Sequence, residues 1–159
     1  MQQPSEMTQA LRAEVFAMTP AELGVAPSAE HPQVWGVLME TGDPEGTVTL
    51  LALLDGTVSL YFSIGGGFIG AGAHESVRRE AFEFIGMAER YLDQLMSAQT
   101  FPLPAEGRVQ FYVLTFDGPL TVEADEQQVG EGQHKLSTLF YAGHDVITAI
   151  RQQQESADR

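Results

Sequence analysis

Three consecutive strand-like runs joined by short turns constrain the fold of this chain more than any other feature. They cover residues 34–41, 47–54 and 57–64. Asp55 and Gly56 separate the second run from the third, and this pair predicts a two-residue hairpin turn with positive φ at both positions. Residues 42–46, with two glycines and a proline, form a looser turn. Strands joined in this way lie antiparallel in one sheet.

The first two runs, residues 34–41 and 47–54, are apolar on both faces. Alternate positions of a strand point to opposite faces, and here both sets include aliphatic or aromatic side chains. Residues 57–64 instead alternate between apolar and polar, which predicts one face open to solvent. Strands that are apolar on both faces have to be covered on both faces, by helices or by another subunit. The residues that we expect to form such a subunit interface are Trp35, Val37, Met39, Leu51 and Leu53.

Helical spacing recurs along the rest of the chain. Residues 5–18 form a first helix that Ser5 can cap, and residues 19–24 have the cap, first-turn proline and terminal glycine of one further turn. Residues 75–96 are amphipathic with helical period. The last helix has an apolar stripe formed by Leu136, Leu139, Phe140, Gly143, Ile147 and Ile150.

A second hairpin lies between the last two helical patterns. Its strands are residues 109–116 and 120–129, and the acidic second strand is typical of a protected sheet edge. The element order α-βββ-α-ββ-α therefore predicts a single α+β domain, residues 1–159, with helices packed on an antiparallel sheet of about five strands. Residues 1–33 hold the first helix, the short turn and a linker, and we expect the polar tail 152–159 to fray.

This element order is similar to that of small profilin-like and roadblock-like domains. The resemblance covers the order of the elements, and the split of three strands plus two differs from the two plus three of roadblock domains. It implies a binding or scaffolding role.

The charge of the chain restricts its partners. Lys and Arg total 8 against 22 Asp and Glu, which gives a net charge of -14, and Lys135 is the only lysine. Such a field repels phosphate backbones and anionic lipids, so we expect neither a nucleic-acid nor a membrane partner. The negative charge favours a basic protein as partner.

Cysteine is absent, which excludes disulfides and thiolate metal sites. The chain shows no leader-like start and no apolar run of about 18 residues, so we expect a cytoplasmic protein.

A glycine-rich loop joins the third strand to the helix at residues 75–96. Residues 65–70 match G-x-G-x-x-G, but a dinucleotide site requires a parallel βαβ unit and an acid about twenty residues later. Position 90 here is still within the helix. A looser anion site remains possible at the helix start, and the alternative is that the glycines only allow a sharp change of direction. The residues of this candidate site are Gly65, Gly66, Gly67, Gly70, Gly72, His74, Arg78 and Arg79.

Residue spacing gives no further catalytic or metal-binding pattern. The four histidines do not follow a ligand spacing, and no serine lies in a nucleophile elbow. We therefore predict no catalytic residues, no metal and no cofactor. Two hypotheses remain: a non-catalytic binding or assembly module, acting as a homodimer or as the acidic partner of a basic protein, and a small-anion-binding protein or enzyme that uses the glycine-rich loop.

Overall fold

The computed structural model describes residues 5–157, which form an α+β fold around one open antiparallel sheet. Within that range the strands are β1 (Val34–Asp43), β2 (Gly46–Leu53), β3 (Val58–Phe62), β4 (Gly67–Phe68), β5 (Met96–Ser97), β6 (Arg108–Thr115) and β7 (Gly118–Asp125). The α-helices are α1 (Glu6–Ala17), α2 (Pro20–Leu23), α3 (Glu75–Ala88), α4 (Glu126–Gly130) and α5 (Ser137–Ala157). The strand order across the sheet is β4-β3-β2-β1-β6-β7-β5.

The N-terminal helix boundaries follow the predicted caps. The Ser5 side chain accepts a hydrogen bond from the Thr8 N–H at 3.2 Å. The Thr19 hydroxyl accepts one from the Glu22 N–H at 3.3 Å, and Gly24 ends α2 in the left-handed region with φ 74°. The two side-chain bonds satisfy backbone N–H groups that have no partner within the first turn of each helix. The left-handed glycine ends α2.

The antiparallel sheet is confirmed, but the predicted number of strands is wrong. β4 and β5 are extra strands of two residues each, one at each edge of the sheet. The predicted strand over residues 120–129 ends at Asp125, because the Asp125 carboxylate accepts a hydrogen bond from the Gln128 N–H and caps α4. β5 then pairs with part of the outer edge of β7.

Helices α3 and α5 pack against one face of the sheet, which we call the helix face. All six residues of the predicted apolar stripe of the last helix are buried there. The polar tail from Gln152, for which we expected fraying, continues as helix as far as Ala157, and the Gln153 amide donates to the Ser76 hydroxyl at 2.9 Å. The last two residues of that expectation, 158 and 159, lie outside the described range.

The opposite face of the sheet, which we call the strap face, is covered by α1 and by residues 98–107. Its buried side chains are Val15, Trp35, Leu38, Leu51, Leu53, Tyr112 and Leu114. The covering segment lies directly on β1 at Gly42, where a Cβ atom would overlap the Ala105 carbonyl oxygen. The Gly107 N–H donates to the Gly42 carbonyl at 2.8 Å.

The five residues predicted to form a subunit interface are all buried within the protomer, none more than 4% exposed. Trp35, Leu51 and Leu53 lie under the strap-face cover, whereas Val37 and Met39 lie under the helices. A register shift between Val34 and Gly36 turns Trp35 away from the other two side chains of β1. The expectation that these residues are available to a second subunit is therefore wrong.

Two local predictions also fail for structural reasons. The polar side of β3 is not open to solvent, since Ser59 and Tyr61 are both buried. In the β2–β3 turn only Gly56 has a positive φ (95°), and no non-glycine residue within 5–157 has one. The Asp55 carboxylate instead accepts a hydrogen bond from the Thr57 N–H at 2.9 Å.

No helix in this described range is long and apolar enough to cross a bilayer.

Candidate functional site

The glycine-rich loop divides into three local structures. Gly65, Gly66 and Gly67 form the turn from β3 into β4, while Gly70 and Gly72 belong to a 3-10 turn over Ala71–Ala73. His74, Arg78 and Arg79 lie on the first turns of α3.

The guanidinium of Arg78 already has a structural partner. It donates to the Gly72 carbonyl at 2.7 Å, so it ties the loop to the helix. His74 and Arg79 are exposed, and neither of the two cavities that we describe is lined by any of the eight predicted residues. The anion-binding hypothesis therefore stays a prediction, and neither of these two cavities supports it.

The strap face carries a row of polar side chains that crosses five strands. Its members pair across neighbouring strands in register, from β3 to β7: Tyr61, Thr49, Glu40, Gln110 and Glu123. The row separates an apolar end of this face from the β1–β2 turn. Glu40, at its centre, is fully buried.

Arg12 of α1 reaches down to this row and pairs with Glu40. The guanidinium forms two parallel bonds to the carboxylate, Nε to Oε2 at 2.9 Å and Nη2 to Oε1 at 2.8 Å. Thr49 also donates to Glu40 Oε2 at 2.7 Å, and Arg12 donates to the Phe101 carbonyl at 2.8 Å. This two-point geometry is the strong form of an ion pair, and it fixes α1 at one position on the sheet.

Burial and charge perturb the groups around the pair. Burial alone would lower the pKa of Arg12, but the hydrogen bonds and charge of Glu40 outweigh it and raise that pKa above its ordinary value. Burial, with a smaller contribution from Glu40, raises the pKa of Tyr112 to about 12 and that of Tyr61 further still. The Tyr112 hydroxyl donates to the Pro102 carbonyl at 2.6 Å. Both tyrosines are therefore neutral at physiological pH.

A cleft opens at the end of the sheet that holds the β1–β2 turn. Its volume is about 390 Å³, which lies in the range of small-ligand sites. The lining residues are Asp43, Pro44, Glu45, Gly46, Thr47, Val48, Phe62, Ser63 and Ile64. Residues 43–48 form one wall of the cleft and residues 62–64 form the other, which we call the β3 wall. The two walls are held together where the Thr47 N–H donates to the Ser63 hydroxyl at 2.7 Å and the Ser63 N–H donates to the Thr47 carbonyl at 2.9 Å.

The cleft combines an apolar floor with an acidic rim. Val48 and Phe62 face each other across β2 and β3 and are only partly buried, and Ile64 is 59% exposed. Asp43 and Glu45 are exposed on the turn above them. Such a surface offers apolar contact and negative charge to the same ligand.

Further carboxylates lie beside Asp43. The Glu126 N–H donates to the Gly107 carbonyl, and the Gly107 N–H donates to the Gly42 carbonyl, which places the start of α4 next to the end of β1. Burial raises the pKa of Glu126, and the charges of Asp43 and Asp125 add to that rise. The carboxylates at this corner therefore interact electrostatically with one another.

The bases near this corner are few. Arg108 is paired with Glu123 at 2.8 Å. His144 of α5 is partly buried, and burial together with Arg151 lowers its pKa while Asp145 and Asp43 oppose that change. The lowered pKa of His144 disfavours a positive charge on its imidazole beside these carboxylates. Across residues 5–157, no group of three or more His, Asp or Glu side chains is arranged to hold a metal ion.

No protein-family model matches the chain, and no curated protein or solved structure is significantly similar to it. The functional argument therefore depends on the geometry of the site.

Sequence reasoning missed both the cleft and the Arg12–Glu40 pair. A signal for the pair existed: Glu40 interrupts an apolar strand, and Arg12 lies on the same side of α1 as Thr8 and Val15, the two buried residues of that helix. The cleft had no comparable signal, because it depends on the register between β2 and β3.

Proposed function

We propose that this protein is a non-catalytic binding module that takes a basic segment of a partner protein into the cleft at the β1–β2 turn. The observation that carries the proposal is the combination in one cleft of an apolar floor, Val48, Phe62 and Ile64, with the rim carboxylates Asp43 and Glu45. The homodimer hypothesis has lost the residues on which it rested, since they are buried. The acidic-partner hypothesis gains a defined surface.

Arginine and lysine side chains match both parts of this cleft. Their aliphatic stems pack on apolar surface while the charged head stays at the rim. The Phe62 ring can also attract a cation held within about 6 Å of its centre. An acidic or purely apolar ligand would satisfy only one part of the surface.

The field of the whole chain supports capture of such a segment. The net charge of -14 attracts basic proteins over a distance of about 8 Å at physiological salt, which raises the association rate more than the final affinity. Asp125 and Glu126, beside Asp43, place part of this charge next to the cleft.

Binding of a model peptide tests the proposal. We expect a blocked peptide of sequence Gly-Arg-Leu-Arg-Leu-Gly to bind the full chain in isothermal titration calorimetry, and the same peptide with citrulline in place of arginine to bind at least tenfold more weakly. Asp43→Asn together with Glu45→Gln should weaken binding about 2- to 30-fold, because each exposed ion pair contributes up to about 1 kcal/mol. Raising the salt concentration should reduce the affinity further.

The matched control changes the same charge at the far end of the sheet. Asp117 lies in the β6–β7 turn and Glu22 lies on α2, and both carboxylates are exposed. Asp117→Asn together with Glu22→Gln should change the affinity less than twofold. Equal binding of the arginine and citrulline peptides would contradict the proposal, and so would equal losses in the two double variants.

A further inference from the structure

We infer that docking of α1 on the strap face sets the affinity of the cleft, so that the helix regulates the site without contacting the ligand. The inference rests on the proposed function for the identity of that ligand. Its own basis is a set of hydrogen bonds that α1 makes to the wall of the cleft.

The first turn of α1 holds the β3 wall directly. The Ser5 N–H donates to the Ser63 carbonyl at 2.7 Å, and the Thr8 hydroxyl donates to the Phe62 carbonyl at 3.2 Å. Thr8 is almost fully buried at 1% exposure. Phe62 and Ser63 both line the cleft, so the helix binds the outside of the wall whose inside faces the ligand.

Besides α1, the wall is held by its pairing with β2 and by a turn in which the Gly65 N–H donates to the Phe62 carbonyl at 2.9 Å and the Phe62 N–H donates to the Gly66 carbonyl at 3.1 Å. Ser63 bonds to Thr47 on the cleft side, and the chain then passes through exposed Ile64 into the turn at Gly65 and Gly66. Gly46 leaves room for this arrangement, since a Cβ atom there would overlap the Ser63 hydroxyl. Release of α1 would leave the Ser63 carbonyl without its partner and the Phe62 carbonyl with the turn bond from the Gly65 N–H, and would free the wall to move.

The rest of α1 is anchored far from the cleft. Arg12 pairs with buried Glu40, and the Phe16 ring stacks on Phe101 at 4.0 Å with an interplanar angle of 8°. None of these four residues lines the cleft. The docking of the helix can therefore be changed without changing the binding surface, which is the condition for regulation between two distinct places.

A preorganised wall favours binding, because the ligand does not have to order it. Docked α1 and bound ligand should then stabilise each other, and the effect has to be reciprocal. The ligand should lower the equilibrium constant for opening of α1 by the same factor by which undocking of α1 weakens ligand binding.

Three variants of the full chain test the inference with the Gly-Arg-Leu-Arg-Leu-Gly peptide. Thr8→Val keeps the buried shape but removes one bond to the wall, and should weaken the peptide about two- to fivefold. Arg12→Leu, which loosens the helix from a distance, should weaken it about tenfold. Arg12→Leu combined with Glu40→Leu restores an apolar contact in place of the pair, and should bind within about twofold of the unmodified chain.

Amide hydrogen exchange gives a readout that needs no peptide. In Arg12→Leu, exchange at Thr47 and Ser63 should accelerate about tenfold, while Val113 in the centre of the sheet should stay protected and so report on global unfolding. Unchanged exchange at Thr47 and Ser63 with α1 opened would overturn the inference, as would undiminished peptide affinity in Arg12→Leu. Failure of the peptide to bind the unmodified chain would overturn the proposed function instead, and the exchange at these two amides would still decide whether α1 supports the wall.

Discussion

Replacing Arg12 with leucine should lower the free energy of unfolding by about 3–5 kcal/mol. The substitution leaves the Glu40 carboxylate fully buried, with Thr49 as its one remaining side-chain donor among residues 5–157. It also removes the donor to the Phe101 carbonyl. An uncompensated charge in the interior costs far more than the pair contributes, because the carboxylate has lost water without gaining an equivalent partner. Since domains of this size are stable by about 5–15 kcal/mol, the loss is easily measured by urea denaturation.

The double variant Arg12→Leu/Glu40→Leu separates charge from packing. With both charges replaced by apolar side chains, we expect stability within about 1 kcal/mol of the unmodified chain, or slightly above it. The control is Arg108→Leu, which breaks the half-exposed pair with Glu123 and should cost at most about 1 kcal/mol. A loss below about 1 kcal/mol for Arg12→Leu alone would show that the pair is solvated and does not hold the helix.

The long, periodic elements could be predicted because local pattern and tertiary environment agree in them. The α5 stripe is buried where its 3.6-residue spacing places it, and α1 begins at the cap that its sequence provides. β4 and β5 could not be predicted in this way. A strand of two residues has no period, and only the pairing with β3 or β7 defines it.

The interface prediction failed because the amphipathicity of α1 is weak in sequence. The buried residues of that helix are Thr8 and Val15, and Arg12 between them is a charged residue that the pattern assigns to solvent. Its burial makes sense only with Glu40 beneath it, on a strand about thirty residues later in the chain. β1 and α1 each have a face of mixed polarity, and these two faces pack against each other. Neither sequence pattern alone predicts that packing.

The candidate site depends still more on the assembled fold. Asp43 and Glu45 belong to a turn that the sequence identifies, but the floor beneath them comes from the Val48–Phe62 pairing. A shift of β3 by one residue in that register would turn the Phe62 side chain to the strap face and remove its part of the floor. The glycine-rich loop was the more visible signal, but only Gly67 and Gly72 among its five glycines are packed closely against other backbone, whereas the other three have a positive φ and open space beside them.

Replacing Gly72 with alanine should therefore destabilise the fold by about 3 kcal/mol. A Cβ atom at this position would overlap the Gly56 carbonyl oxygen and lie 3.2 Å from the Val58 nitrogen. Both obstacles are backbone, so neither can rotate away as a side chain would. Relief would require the β2–β3 turn and the 3-10 turn to separate, which would also pull the Gly72 carbonyl away from Arg78.

Gly86→Ala is the matched control, because its Cβ atom would have free space, with the nearest atom, His31 Cε1, 3.9 Å away. Gly86 lies inside α3, where alanine is favoured over glycine by about 1 kcal/mol, so this variant should gain stability. Thermal and urea denaturation of both variants measure the difference, which should reach about 3–4 kcal/mol. A stable Gly72→Ala protein that loses affinity for phosphate or carboxylate ligands would reverse this interpretation, since the glycine would then serve a ligand and not the contact between two turns.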